Sequence, residues 1–374
     1  MNKKEISEIR KQLTPDRCAI TRICGCYVDG EKNMVTSFRD TFLTLPEEEI
    51  FKYFEIFRKT LSGTVGKNLL NMEFPLETEQ EGGTQSRLLA LREDQLKDDA
   101  HLESFYREIT ACFQYPGNYL ILLIHAAYDV PGRASDELEQ FDASEEVYSY
   151  IMACICPVSL AKPALTYDAQ EKCFHNRIRD WVVEMPLLGF LFPAFNDRSS
   201  DIHSLLYYTK DANDLHQDFA DTMLGCALPL SAAGQKDAFA DLMQDSLGEA
   251  CDFEMVQSLH VHLYDIKEEQ KDSPDPPALG KGEVRNLLEL AGADVARVKR
   301  FEEIAGEDEY FMLSNIAATR KFEVKTPDVI IRVSPDRSDL IEEKIVDGRR
   351  CLVIPISDDV EVNGIRVNTR SDRE

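Results

Sequence analysis

The sequence lacks any run close to the eighteen or so apolar residues that a membrane-spanning helix requires, so no span is expected. It also lacks the Gly-x-Ser-x-Gly elbow, the His-Glu-x-x-His helix, the dinucleotide glycine fingerprint and the calcium-binding loop. Their absence weakens the enzyme reading without closing it. Positive charge is scarce as well: 42 Lys and Arg face 68 Asp and Glu, a net charge of −26. Residues 1–67 hold 12 basic and 10 acidic groups, and residues 320–374 hold 11 and 12, so the deficit falls on the middle of the chain. An acidic body repels phosphate at long range, which argues against non-specific nucleic-acid or anionic-membrane binding. The first twelve residues, MNKKEISEIRKQ, have no apolar core, so a secretory signal is not expected. With no export signal, the ten cysteines read as reduced thiols in a cytoplasmic protein.

What is present is folded-protein chemistry: 374 residues, 43% hydrophobic and 9% aromatic. That length exceeds what one core usually supports. Four short apolar runs, YLILLIHAAY (119–128), VYSYIMACICPV (147–158), PLLGFLF (186–192) and HSLLYYT (203–209), read as buried strands of a central sheet. Around them the spacing predicts a short first helix on Ile6, Ile9 and Leu13, then a hairpin turning at Asp29-Gly30. A helix with Ile50, Phe54, Phe57 and Leu61 on one face follows, opened by a capping box at Thr44. Three helices are expected on Leu215–Met223, Phe239–Leu247 and Val256–Ile266, then a helical hairpin and two tight turns at Asp347-Gly348 and Asn363-Gly364. The expected fold is α+β: a mainly antiparallel central sheet with packed helices on one side, a helical segment and a small C-terminal antiparallel β subdomain. The expected divisions are 1–210 for the sheet domain, 211–270 helical, 271–282 linker, 283–306 helical hairpin and 307–374 β.

Several residue patterns invite a chemical role. The stretch SGTVGKN (62–68) resembles a phosphate loop, but Leu61 stands where its first glycine belongs and Asn68 where its hydroxyl belongs. Two Cys-x-Cys pairs, Cys24/Cys26 and Cys154/Cys156, each share one face of a strand, so four thiols would converge if the strands were suitably placed. Cysteine also packs as a small hydrophobe, which is the preferred reading, and no metal is assigned. His260 and His262 lie two apart in a predicted helix, about 200° around it, and do not suit one ion. His125 reads as a hydrogen-bonded core histidine. The helix at 295–304 mixes Arg297, Lys299 and Arg300 with Glu302 and Glu303, so it offers no one-sided basic face. The densest polar cluster is FNDRSSDIH (195–203), at the sheet's rim. There Asp197 and His203 are candidates for an acid–base pair and Arg198 for an anion anchor.

The segments AITRICGCYVDGEKN, FKYFEIFRKTLSGTVGKNLLNMEF, FLFPAFNDRSSDIHSLLYYTKD and TRKFEVKTPDVIIRV are similar to a bacterial family defined only as a domain of unknown function. That family is found mainly in anaerobic Gram-positive bacteria, and the similarity spans nearly the whole chain. The resemblance implies a bacterial cytosolic protein and supplies no reaction or ligand. The leading expectation is therefore a non-catalytic protein-binding or regulatory protein, with a protein partner or self-association, no membrane and no cofactor. A hydrolase-like enzyme at residues 196–203 is the alternative. A nucleic-acid-handling protein using basic residues Lys3, Lys4, Arg10, Lys11 and Arg22 is the third reading.

Overall fold

The structure, a computed structural model, describes residues 1–133, 139–307, 309–317, 321–356 and 360–367. The chain divides into two units, one made of residues 1–234 with 274–276 and the other of 235–273 with 277–374.

In the first unit the elements run α1 (Lys3–Lys11), β1 (Ile20–Val28), β2 (Met34–Thr41), α2 (Glu47–Thr60), β3 (Leu69–Glu73), α3 (Thr84–Glu93) and α4 (Asp99–Cys112). Next come the long pair β4 (Asn118–Arg133) and β5 (Glu139–Leu160), then β6 (Leu165–Asp168), β7 (Cys173–Asn176) and β8 (Trp181–Val183). The unit's last strands are β9 (Leu188–Phe192), β10 (Ala194–Asn196), β11 (Ser199–Asp201) and β12 (Ser204–Thr209); α5 (Gln217–Phe219) then leads into a π turn at Ala220–Leu224. The helix expected on Leu215–Met223 is thus present as a continuous α-then-π segment over Gln217–Leu224.

The central sheet is antiparallel with strand order β2-β1-β4-β5-β9-β12-β3, and β8 pairs with the far end of β5. All four apolar runs expected as buried strands lie in it. Helices cover both of its faces, not one. Ile121 and Leu123 of β4, Ile151 and Ile155 of β5 and Phe190 of β9 pack with Leu88, Phe105 and Ile109 from α3 and α4. On the other face, Leu122, Ile124, Tyr150, Met152 and Leu191 pack with Ile6, Ile9, Phe54 and Phe57 from α1 and α2. The reason is visible in the strands themselves: they are apolar at nearly every position, and a strand without polar alternation must be covered twice. Each fully buried large apolar side chain contributes about 1.5–3 kcal/mol relative to exposure, so this two-sided core is the main stabilising feature of the unit.

Local signals behave unevenly. Asn2 caps α1, accepting from the Lys4 and Glu5 backbone N–H groups, while Glu5 accepts from the Asn2 N–H. Thr44 does not cap α2: its hydroxyl donates to the Thr41 carbonyl, and Pro46 holds the N-cap position without a side-chain bond. The Asp29-Gly30 turn is wider than a two-residue hairpin, because Asp29 Oδ1 accepts from the Glu31 and Asn33 N–H groups and Lys32 takes the left-handed conformation.

The second unit begins within α6 (Ala232–Leu247) and continues through α7 (Phe253–Glu269), β13 (Ala278–Gly280), α8 (Lys281–Leu290), α9 (Val295–Ile304), β14 (Tyr310–Met312) and α10 (Leu313–Ile316). Its core joins Phe239, Leu242, Leu263, Leu287, Leu288, Phe301 and Phe311. Three two-stranded hairpins follow: β15 (Phe322–Lys325) with β16 (Ile330–Val333), β17 (Glu342–Val346) with β18 (Arg349–Val353), and β19 (Val360–Val362) with β20 (Ile365–Val367). Asp347-Gly348 and Asn363-Gly364 turn two of them with both residues at positive φ, as a two-residue hairpin requires. The α+β class, the large antiparallel sheet and the small C-terminal sheets agree with the sequence reading.

Candidate functional site

The rim cluster occupies a second small hairpin, β10 to β11. Asp197 and Arg198 form its two-residue turn, both in the left-handed region at φ 50° and 59°. The Asp197 backbone N–H donates to Glu5 Oε1 at 2.8 Å. The Arg198 guanidinium binds Glu8 at 3.0 Å and donates to the Pro131 carbonyl at 3.1 Å. Tyr128 donates to the same Glu8 oxygen. Arg198 thereby ties the turn to α1 and β4. His203 points elsewhere, with Nδ1 2.6 Å from Glu79 Oε1, and this carboxylate raises its pKa. Asp201, next to it, carries the polar network of the turn. Burial pushes its carboxyl up, but bonds from Ser204, Asn196 and the His203 N–H outweigh that and hold it below its ordinary value.

The two Cys-x-Cys pairs lie on opposite faces of the sheet. Cys24 and Cys26 pack on the α3–α4 side, Cys154 and Cys156 on the α1–α2 side, so the four thiols do not converge. All four are buried, and burial pushes Cys24 up to about 12 and Cys26 to about 11, which keeps them as neutral thiols. His125 is a core histidine. Nδ1 is 2.6 Å from the Thr21 hydroxyl and Nε2 is 3.0 Å from the Ser149 hydroxyl, and burial lowers its pKa to about 4. In α7, the His260 ring meets Phe322 edge-on, while His262 lines a separate groove beside Asp339 and Ile341. The phosphate-loop-like stretch ends α2, with Gly63 and Gly66 both at positive φ.

A segment with no strong sequence pattern carries an unusual surface of the sheet unit. Between β5 and β9 the chain builds the hairpin β6–β7 and the short strand β8. Leu165 (73% exposed), Phe174 (69%), Ile178 (86%) and Trp181 (58%) face solvent, joined by Tyr167, Val182, Val183 and Met185. Tyr167 and Phe174 pair across the hairpin with ring centroids 5.3 Å apart. Between 39% and 86% exposed, and with an aromatic side chain alone carrying roughly 150–250 Å², these eight residues together present several hundred Å² of apolar surface. β8 bonds to the end of β5 and leaves its other edge free among the described strands.

The same hairpin gathers three metal-ligating atom types. Cys173 and His175 sit two apart on β7 and share a face, and Glu171 comes from the turn. Asp168 shapes that turn by accepting from the Gln170 and Glu171 N–H groups, and Lys172 at φ 50° brings Glu171 back over the strand. Among the described residues this is the sole group of three such ligands within reach of one another.

Elsewhere, Arg10 and Lys11 at the end of α1, Arg17 and Arg58 line a cleft of about 450 Å³ with Ser7 and Thr14. Among the described residues none of these four cations has an ion-pair partner. Of the basic face expected from Lys3, Lys4, Arg10, Lys11 and Arg22, Arg10 and Lys11 line this cleft, and Lys4 lines another with Glu8, Lys11 and Arg17.

Comparison with known proteins gives no match among curated sequences. A family model described as a domain of unknown function, DUF4317, matches residues 1–365, and the chain belongs to that family.

Proposed function

We propose that the protein is a non-catalytic binding protein of the cytoplasm that engages a different protein through residues 161–186. The observation that carries this reading is the uncovered apolar surface of β6, β7 and β8, ending in a free strand edge. A hydrophobic edge strand left unpaired is a ready template for an incoming extended segment. The charge pattern favours a different protein over a second copy. Residues 161–186 hold four basic and four acidic groups, a neutral patch on a chain of net charge −26. Two copies would repel each other around that patch, whereas an extended apolar segment with neutral or basic flanks would not.

The test is a photo-crosslinking amino acid placed at Val182 in growing cells, with a matched control at exposed Leu43. The reading expects a discrete heterologous adduct at 182 that disappears with Phe174→Ser and is missing at 43. Equal adducts at both positions, no adduct, or an adduct between two copies would overturn it.

The enzyme alternative at Asp197, Arg198 and His203 has less support, because Arg198 is engaged by Glu8 and His203 by Glu79. The nucleic-acid reading gains one specific observation, the cleft of Arg10, Lys11, Arg17 and Arg58. A labelled single-stranded oligonucleotide would then bind at low salt, weaken steeply as salt rises, and lose affinity with Arg17→Glu. Salt-independent binding, or no binding, counts against it.

A further inference from the structure

We infer that Glu171, Cys173 and His175 form a zinc site at the tip of the β6–β7 hairpin. The ligand geometry carries this inference independently of the protein-binding surface. A tetrahedral zinc ion holds sulfur at about 2.3 Å and nitrogen or oxygen at about 2.0–2.2 Å. Ligand atoms around it therefore stand roughly 3.3–3.6 Å apart, as follows from those bond lengths and the tetrahedral angle. Here Cys173 Sγ is 3.2 Å from His175 Nε2 and 3.7 Å from Glu171 Oε2, and the His175 Nε2 to Glu171 Oε2 distance is 3.2 Å. The three edges of this triangle thus bracket the spacing that one ion imposes.

The backbone sets the positions of all three ligands. Two come from one face of a strand, where spacing is fixed, and the third is carried back by the left-handed residue Lys172. Sulfur, nitrogen and oxygen together suit zinc, which has no geometric preference of its own and accepts mixed ligands. Magnesium and calcium, which prefer all-oxygen shells, do not match this set. The triangle lies on the surface, with Glu171 and His175 exposed and Cys173 half-buried, so the fourth position faces solvent. Water, or a ligand from another molecule, completes the shell there. Zinc would take Cys173 as its thiolate and His175 through a neutral ring nitrogen.

The experiment uses the full reduced chain, stripped of metal and titrated with zinc against a chromophoric chelator, with cobalt as the spectroscopic probe. One equivalent of zinc is expected. The cobalt form should show a thiolate charge-transfer band and the intense visible bands of a tetrahedral ion. Cys173→Ser and His175→Ala should each abolish both, lowering affinity by more than the ~10–100-fold lost when a ligand's outer partner is removed. Cys18→Ser and Cys351→Ser serve as controls and should leave both unchanged. The hairpin tip is exposed, and the circular dichroism of each variant verifies folding. Absence of one-to-one binding, or binding that survives both Cys173→Ser and His175→Ala, would overturn the inference. So would cobalt spectra that follow Cys18 or Cys351 instead.

Discussion

The strands of the central sheet and the strands of the 161–186 segment are written in similar residues and meet different fates. β9 reads LGFLF and is buried at every position; β8 reads WVV and is exposed at every position. The difference lies in what covers them. β9 sits between neighbours on both edges and under helices on both faces, whereas among the described residues β8 has one strand partner and belongs to neither buried core cluster. Apolar strand sequence therefore reports an environment that excludes water, but not whether this chain supplies it. In the core α1 to α4 do so; for β8 the proposed partner protein does.

Substitution should separate the two regions most sharply. Phe190→Ala in β9 removes a ring packed near Phe105 and should cost about 3–5 kcal/mol in urea unfolding. Phe174→Ala in β7 should change stability by no more than about 0.5 kcal/mol, as for other exposed positions. Similar losses at the two sites would remove the contrast.

A smaller effect is expected where the core is tightest. An added Cβ at Gly189 would stand 2.5 Å from the Ala153 carbonyl oxygen and 2.7 Å from the Thr60 methyl. Gly189→Ala should cost about 1–3 kcal/mol from overpacking against backbone that cannot withdraw. Arg198→Ala should cost a similar ~1–3 kcal/mol, since it leaves the half-buried Glu8 carboxylate without its guanidinium. Arg177→Ala, on the exposed segment, should cost nothing measurable. A neutral Arg198→Ala would show that the rim ion pair is not structural and revive the anion-anchor reading.

The histidines give the smallest and most specific test, and their signs are opposite. His125 is depressed to about 4 by burial. From its ordinary value of 6.5 down to about 4, the unfolded chain takes up a proton that the folded chain refuses, so stability falls with pH in that window. His203 is raised by Glu79, so its contribution is fully present below 6.5 and is lost as pH rises through its folded value. NMR titration should show one ring unprotonated until about pH 4 and another titrating above 6.5. Titration of His125 near 6.5 would mean that water reaches the core beside Thr21 and Ser149.

Much of the fold could be read from the sequence because its signals are local. Four continuous apolar runs marked the sheet, and Asp347-Gly348 and Asn363-Gly364 marked their turns through the left-handed conformation those residues tolerate. What was missed depends on neighbours. Thr44 had the right spacing for a cap, yet the preceding 3₁₀ turn took its hydroxyl. The opposite facing of the two Cys-x-Cys pairs follows from strand register, which neither pair reveals alone. At the candidate site, Asp197 and Arg198 were legible as turn residues, but their partners Glu5 and Glu8 lie some 190 positions away. The 161–186 segment is not legible as strands because LTYD, CFHN and WVV are each only three or four residues long. Cys173-x-His175 was a readable signal, whereas the return of Glu171 depends on Lys172 adopting a conformation that nothing in its side chain requires.

The most direct measurement uses the single tryptophan, Trp181, which lies in the segment itself. Its emission and its quenching by acrylamide should be recorded on the purified chain over a wide range of protein concentration. Red-shifted, strongly quenched emission at every concentration is predicted, because Trp181 is 58% exposed and the proposed partner is a different protein. Blue-shifted emission shielded from acrylamide would contradict it, by showing that the protein already buries the surface assigned here to a partner.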